Sequence, residues 1–234
     1  MNKTRSLLAD LKILTRDPIM IILFSMPLFM FVLMKTILNV AASFIYAQWN
    51  IYLYNYASYI LALLFIMIPA MLGTVMAFLM IDERDSKIYD LLSVTPIGYK
   101  GYLFNRMLLP VLFSIVYSLL GYFILNILKL SLLVFITLFL LLPMESISIG
   151  MLLFILSEDK VKGLTFSKGL GLLYMTSLSN LFNHSVIIFI SSFLPFYWIW
   201  KIIDHTTILN VSMGLLVHLL WLCITYILMN KKIR

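Results

Sequence analysis

Four acids and two bases lie between Asp82 and Asp90, in a chain that is 63% hydrophobic. Clustered carboxylates can share a proton in acid–base catalysis, hold a metal, or face a partner protein. The stretch DERDSKIYDLLSVTPIGYKGYLFNR at 82–106 has apolar residues threaded through its charges. Ile81, Ile88, Leu91 and Leu92 recur at i, i+7, i+10 and i+11, the spacing of one helix face. The spacing predicts a short amphipathic helix over 82–95. Asp82, Glu83 and Asp85 are expected in its first turn, where acids offset the positive end of the helix dipole. Glu83 and Lys87 are expected as an i,i+4 pair. Pro96 disfavours helical dihedrals at Thr95, and Gly98 permits a turn, so the helix should stop there. A ridge of Leu91 and Leu92 fits a groove on a soluble partner. The same composition also fits a helix lying on lipid.

The remaining polar residues do not assemble into a reaction centre. The acids at 82–90 lack the D-x-x-D-G pattern of phosphate-alcohol transferases. His184, His205 and His218 are widely spaced, without H-E-x-x-H or a cysteine cluster, so no metal site is expected. His218 reads as a hydrogen-bonded packing residue. No G-x-S-x-G occurs, and GLTFSKG at 163–169 lacks the spacing and the Lys-Ser/Thr ending that cradle phosphates. Glu145 is the residue most out of place, in LLLPMESISIG within an apolar run. A carboxylate at bilayer centre costs about 3 kcal/mol or more, so it should face the helix bundle or be protonated. Two readings stay open: a polar point on a path through the membrane or at a dimer seam, or a protonated acid bonded to a neighbouring span. No histidine is its evident partner. Pro143 leaves a carbonyl without a donor, for which Ser146 and Ser148 are expected to compensate. Glu158, Asp159 and Lys160 form a weaker candidate contact in a segment that also reads as a solvated loop.

The elements that position these residues are membrane spans. The chain has 234 residues, only 12% of them charged, and a mean hydropathy of +1.05. A soluble domain carries about 25% charged residues. Continuous apolar runs favour helices over barrel strands. Six spans are expected at 18–38, 57–81, 107–127, 132–156, 164–182 and 208–229, within one membrane domain over 18–234. Residues 1–17 are expected to form an interfacial helix, with Leu7, Leu8, Leu11 and Leu14 on its apolar side and charges elsewhere. Pro18 suits the first turn of the first span. With both termini cytoplasmic, all seventeen bases except Lys35, Lys129 and Lys201 fall inside, a strong positive-inside bias. Making 184–203 a full span would weaken that bias, so it is expected not to cross. The tyrosine- and tryptophan-rich loop 39–56 reads as an interfacial anchor. Cys223 is a lone apolar filler, and the positive charge reflects topology rather than nucleic-acid binding.

RDP at 16–18, an apolar run containing Pro27, a second span ending in acids, and DLLSVTPI at 90–97 resemble the permease subunits of type-two ATP-binding-cassette (ABC) exporters. SSFLPFYWIW at 191–200 is similar to that family's re-entrant extracellular helices between spans five and six. The resemblance implies an all-α permease in the cell membrane, a bacterial cytoplasmic membrane. It implies export of an amphipathic peptide, lipid or drug-like substrate. Asp82, Glu83, Arg84, Asp85, Asp90, Leu91, Leu92, Thr95 and Pro96 would form the coupling helix facing two copies of a cytoplasmic ATPase. ATP and magnesium would bind that ATPase and no cofactor this chain, which would work beside a second permease subunit. Family members often carry Gly-Thr where this chain has Ser86 and Lys87. A membrane-embedded enzyme would instead need paired acids or a Glu–His set at span ends. An immunity or accessory membrane protein would need no docking ridge.

Overall fold

The computed structural model describes residues 3–87 and 98–233, and the regular elements among them are all helical. In order they are α1 (Lys3–Leu14), α2 (Pro18–Trp49), α3 (Ala57–Asp85), α4 (Gly98–Leu125), α5 (Leu132–Leu156), α6 (Lys160–Tyr174), α7 (Ser185–Ser191), α8 (Pro195–Asp204) and α9 (Ile208–Ile233). Short 3₁₀ segments occupy Leu53–Tyr56 and Met175–Phe182. Among the described residues five helices are long and apolar enough to cross a bilayer, or six if the bent pair α7–α8 counts as one.

The bundle is built around α3. It is apolar on all sides, as a helix surrounded by others must be, and 78% of its most apolar stretch is buried, against 17% for α2 and 22% for α9. The outer faces of α2 and α9 therefore meet lipid or another membrane protein. α5 crosses α3 closely because both carry glycine at the crossing. A Cβ on Gly73 would stand 2.7 Å from the Ser146 carbonyl oxygen, and one on Gly150 would stand 3.1 Å from that of Gly73. Small residues give membrane helices this close approach, where lipid supplies no hydrophobic drive between them. Ser114 and Ser146 hydroxyls, 2.8 Å apart, tie α4 to the same place.

Helix starts follow local chemistry. The Asp17 carboxylate accepts from the amides of Ile19 (2.9 Å) and Met20 (3.4 Å), and Pro18 takes the first turn of α2. Ser131 and Asp159 cap α5 and α6 in the same way, satisfying amides that a helix start leaves unpaired.

Three expectations are corrected. The 39–56 segment is not one loop, because α2 runs on to Trp49, 32 residues in all. Nothing in NVAASFIYAQ breaks a helix, and the stop comes at Asn50 in the left-handed region (φ 53°). The 164–182 region is not one α-helix. After Tyr174 the chain tightens to 3₁₀, as Thr176 and Ser177 hydroxyls donate to carbonyls three residues back (2.6 and 2.8 Å), competing with the α-helical pattern. Ser146 and Ser148 donate to the Leu142 and Met144 carbonyls (3.0 and 2.9 Å), not to the Phe139 carbonyl that Pro143 deprives of a donor.

The 184–203 region is a bent pair, with α7 and α8 at 111°. Indole N–H groups of Trp198 and Trp221 donate to the carbonyls of Ser192 (2.8 Å) and Phe193 (2.9 Å), pinning the turn. Trp200 stacks on Tyr59 at the start of α3, ring centroids 4.8 Å apart.

Candidate functional site

The charged residues gather at the far end of α3 from Tyr59. Asp82, Glu83, Arg84 and Asp85 do not open a new helix there. They form the last turn of α3, because Met80 and Ile81 are buried and the apolar run carries the helix through to the acids. Ser86 and Lys87 then turn the chain, Lys87 with φ 58°. Acids at this end face the negative pole of the helix dipole and need cations nearby. The expected Glu83–Lys87 pair gives way to a buried pair between Glu83 and Arg106 of α4. The rest of the expected 82–95 helix, with Asp90, Leu91, Leu92, Thr95 and Pro96, lies outside the described residues.

Arg106 also pairs with Asp10 of α1, which is 1% exposed. Tyr102 donates its hydroxyl to Glu83 (2.5 Å). Asp10 thus sits inward, although charges were expected away from the docked side of α1. Burial pushes its carboxyl above the usual range, and Arg106 offsets this only in part. The spacing 7, 10, 11, 14 carried the signal, since it places Asp10 on the same helix side as the leucines. Leu8, by contrast, is exposed.

A second knot is centred on Lys160 at the start of α6. Its ammonium contacts Asp17 (2.5 Å) and Asp82 (2.8 Å). It is a bridge between α2, α3 and α6 rather than a solvated loop residue. Asp159 caps α6, and Glu158 pairs with Lys162 on the surface. A third knot covers the C-terminal end of α5. Arg84 donates to the carbonyls of Ser157 (3.0 Å) and Glu158, and Lys232 of α9 donates to those of Phe154 (3.3 Å) and Ile155. Cations on final carbonyls are what a helix end calls for. Arg84 lies 5.2 Å from the centroid of the Phe154 ring. Together these contacts form a charged collar joining α1, α2, α3, α4, α5, α6 and α9. In the chain, segment 88–97 lies between this end of α3 and the start of α4. Asp85 points out of the collar, its side chain 55% exposed.

Glu145 lies elsewhere, midway along α5 and 2% exposed. Sequence reasoning gave it no histidine, but His218 of α9 is beside it, Nε2 to Oε2 3.6 Å. His218 Nδ1 is 2.7 Å from the Gly214 carbonyl. Neither Glu145 oxygen nor His218 Nε2 has a hydrogen-bond partner in the protein. A cavity of about 40 Å³ opens beside them, lined by α5, α6, α8 and α9. This Glu–His pair stands mid-span, not at the span ends a membrane enzyme would use. Among the described residues no group of three or more His, Cys, Asp or Glu side chains could hold a metal.

A family model described as fluoroquinolones export permease protein Rv2686c-like matches residues 10–226. The chain belongs to this family. It is the transmembrane permease component of an ABC-type exporter and a multi-span membrane protein. No curated protein and no solved structure matches the permease significantly. The match spans the Glu145–His218 pair and every collar residue named above except Lys232.

Proposed function

We propose that this permease exports a drug-like amphipathic molecule, of the fluoroquinolone kind for which its family is described, with energy from two copies of a separate ABC ATPase. The ATPase binds ATP and magnesium and docks at the collar end. Segment 82–96 is the coupling element, with Asp85, Asp90, Leu91, Leu92, Thr95 and Pro96 toward the ATPase, and Glu158 beside it. Asp82, Glu83, Arg84 and Lys160 hold the element to the bundle. The working unit is a pair of permease subunits, each with six spans. The fifth span runs over 164–182 and both termini are cytoplasmic. The bent pair α7–α8 lies on the outer side, and α1 rests at the inner interface.

The observation that carries this reading is the collar. A push on the segment between α3 and α4 meets Glu83 and Arg106, which reach α1, and Asp82, which reaches α2 and α6 through Lys160. Paired charges transmit displacement because each partner resists being left unpaired. Cell accumulation of a fluorescent fluoroquinolone tests the function, with the permease expressed with and without its neighbouring ATPase. Accumulation should fall only when both are present. Equal accumulation in all strains would remove the proposed cargo.

A further inference from the structure

We propose that Glu145 and His218 form a membrane-buried binding point for a protonated amine, and that the amine's arrival releases the single proton the pair holds. The proposal deepens, and rests on, the reading of a drug-like amphipathic cargo.

The proton count follows from hydrogen-bond chemistry. The Gly214 carbonyl can only accept, so the proton on that side belongs to His218 Nδ1, 2.7 Å away. His218 Nε2 and Glu145 Oε2 then face each other at 3.6 Å. One proton between them makes the pair neutral overall, as carboxylic acid with imidazole or as carboxylate with imidazolium. Two protons or none would leave net charge where water is excluded, which is costly. The pair therefore holds one proton, with no hydrogen bond between its two members at this distance.

The surroundings say what can replace it. Both Glu145 oxygens and Nε2 are buried without a hydrogen-bond partner in the protein, which is rare in folded proteins, and of the two residues Glu145 lines the adjoining cavity. The adjoining cavity of about 40 Å³ exceeds the ~10–15 Å³ that one water needs. It has room for an ammonium head. Leu170, Leu173, Phe196 and Trp221 line it, offering apolar contact and aromatic faces to a cation. An incoming ammonium would make the site net positive unless a proton leaves. The balance is R–NH₃⁺ plus the neutral pair giving R–NH₃⁺ against carboxylate and neutral His218, with one H⁺ passed to water. Other titratable groups do not compete for this role. α6 brings Tyr174, whose ring packs on Phe196, and Tyr117 of α4 donates to the Phe24 carbonyl (3.0 Å). Apart from Glu145, no residue lining the cavity from α5, α6, α8 or α9 is titratable.

The test is calorimetric titration of benzylammonium into the full-length permease in phosphatidylcholine nanodiscs, without ATPase. Repeating it in buffers of different ionisation enthalpy counts the protons released. The expected result is close to one proton per amine, with affinity rising about tenfold per pH unit around neutrality. Glu145→Gln should abolish the release and weaken binding at least tenfold, while His218→Asn, which leaves Glu145 to hold the proton, should keep the release. Benzyl alcohol binding as tightly as benzylammonium, or benzylammonium binding without proton release, overturns the proposal. Both measurements use the wild-type protein, so neither depends on a variant folding. Discs containing phosphatidylethanolamine distinguish the source of the amine. Competition assigns the site to a lipid headgroup amine, and its absence to a solute amine. Because no ATPase or transport enters the assay, failed export with intact amine binding would count against the cargo reading alone.

Discussion

Arg106→Met should be among the most damaging single substitutions at the collar. Arg106 is the shared partner of Asp10 and Glu83, both nearly buried. Removing it leaves two carboxylates without a counter-charge in a site that water scarcely reaches. Breaking a buried pair from one side costs about 3–5 kcal/mol, because the orphaned charge keeps its desolvation penalty. For a chain of this size each kcal/mol lowers the melting midpoint by about 2–4 °C. The apparent midpoint of the detergent-purified protein should therefore drop by about 6–20 °C. The triple variant Asp10→Asn, Glu83→Gln, Arg106→Met removes all three charges together and should regain most of the loss, since neutral replacements of a buried ionic cluster are often tolerated. The amide introduced by Glu83→Gln would still offer an oxygen to the Tyr102 hydroxyl. Melting by tryptophan fluorescence reads both effects. A single variant that melts within about 2 °C of wild type, or a triple variant that melts below the single, would refute the reasoning.

At the coupling segment, Asp85→Lys and the pair Leu91→Asp, Leu92→Asp should leave melting within about 0.5 kcal/mol of wild type yet abolish permease-stimulated ATP hydrolysis. Unchanged ATPase rates would sink the coupling role. Gly73→Val places a Cβ against the Ser146 carbonyl and should cost about 1–3 kcal/mol, whereas Gly169→Ala meets open space and should stabilise α6 by up to about 1 kcal/mol. Equal melting of these two variants would remove the close α3–α5 crossing. The Asp17–Lys160 pair sets a pH window. Partial burial acts to raise the Asp17 pKa, but the bonds from Lys160, Ile19 and Met20 prevail and hold it below 3.8. Its contribution is present above 3.8 and is lost as pH falls through the lowered value. Partial burial likewise acts to lower Lys160, but Asp17 and Asp82 hold it above 10.5, so that contribution is lost only as pH rises past the raised value. The melting difference between wild type and Asp17→Asn should stay flat across neutral pH and shrink in strong acid. A difference that grows below about pH 4 contradicts the sign.

Much of the molecule was legible in local sequence because local physics decides it. The lack of surface charge settles the membrane class. Apolar run length sets α3, α5 and α9 close to their observed bounds. Asp17–Pro18 starts α2, and Pro195 opens the second half of the bent pair. These features depend on residues a few positions apart. The partners of the charges do not. Arg106 meets Asp10 across 96 positions, and His218 comes from a different helix to stand beside Glu145, a pairing that no helical period reveals. Only the packed bundle decided these, because desolvation makes each buried charge take whatever complementary group the neighbouring helix presents. The acids of Asp82–Asp85 show the same division. By themselves they read as a helix start. The burial of α3 made them a helix end, and cations from α4 and α6 made that position tenable.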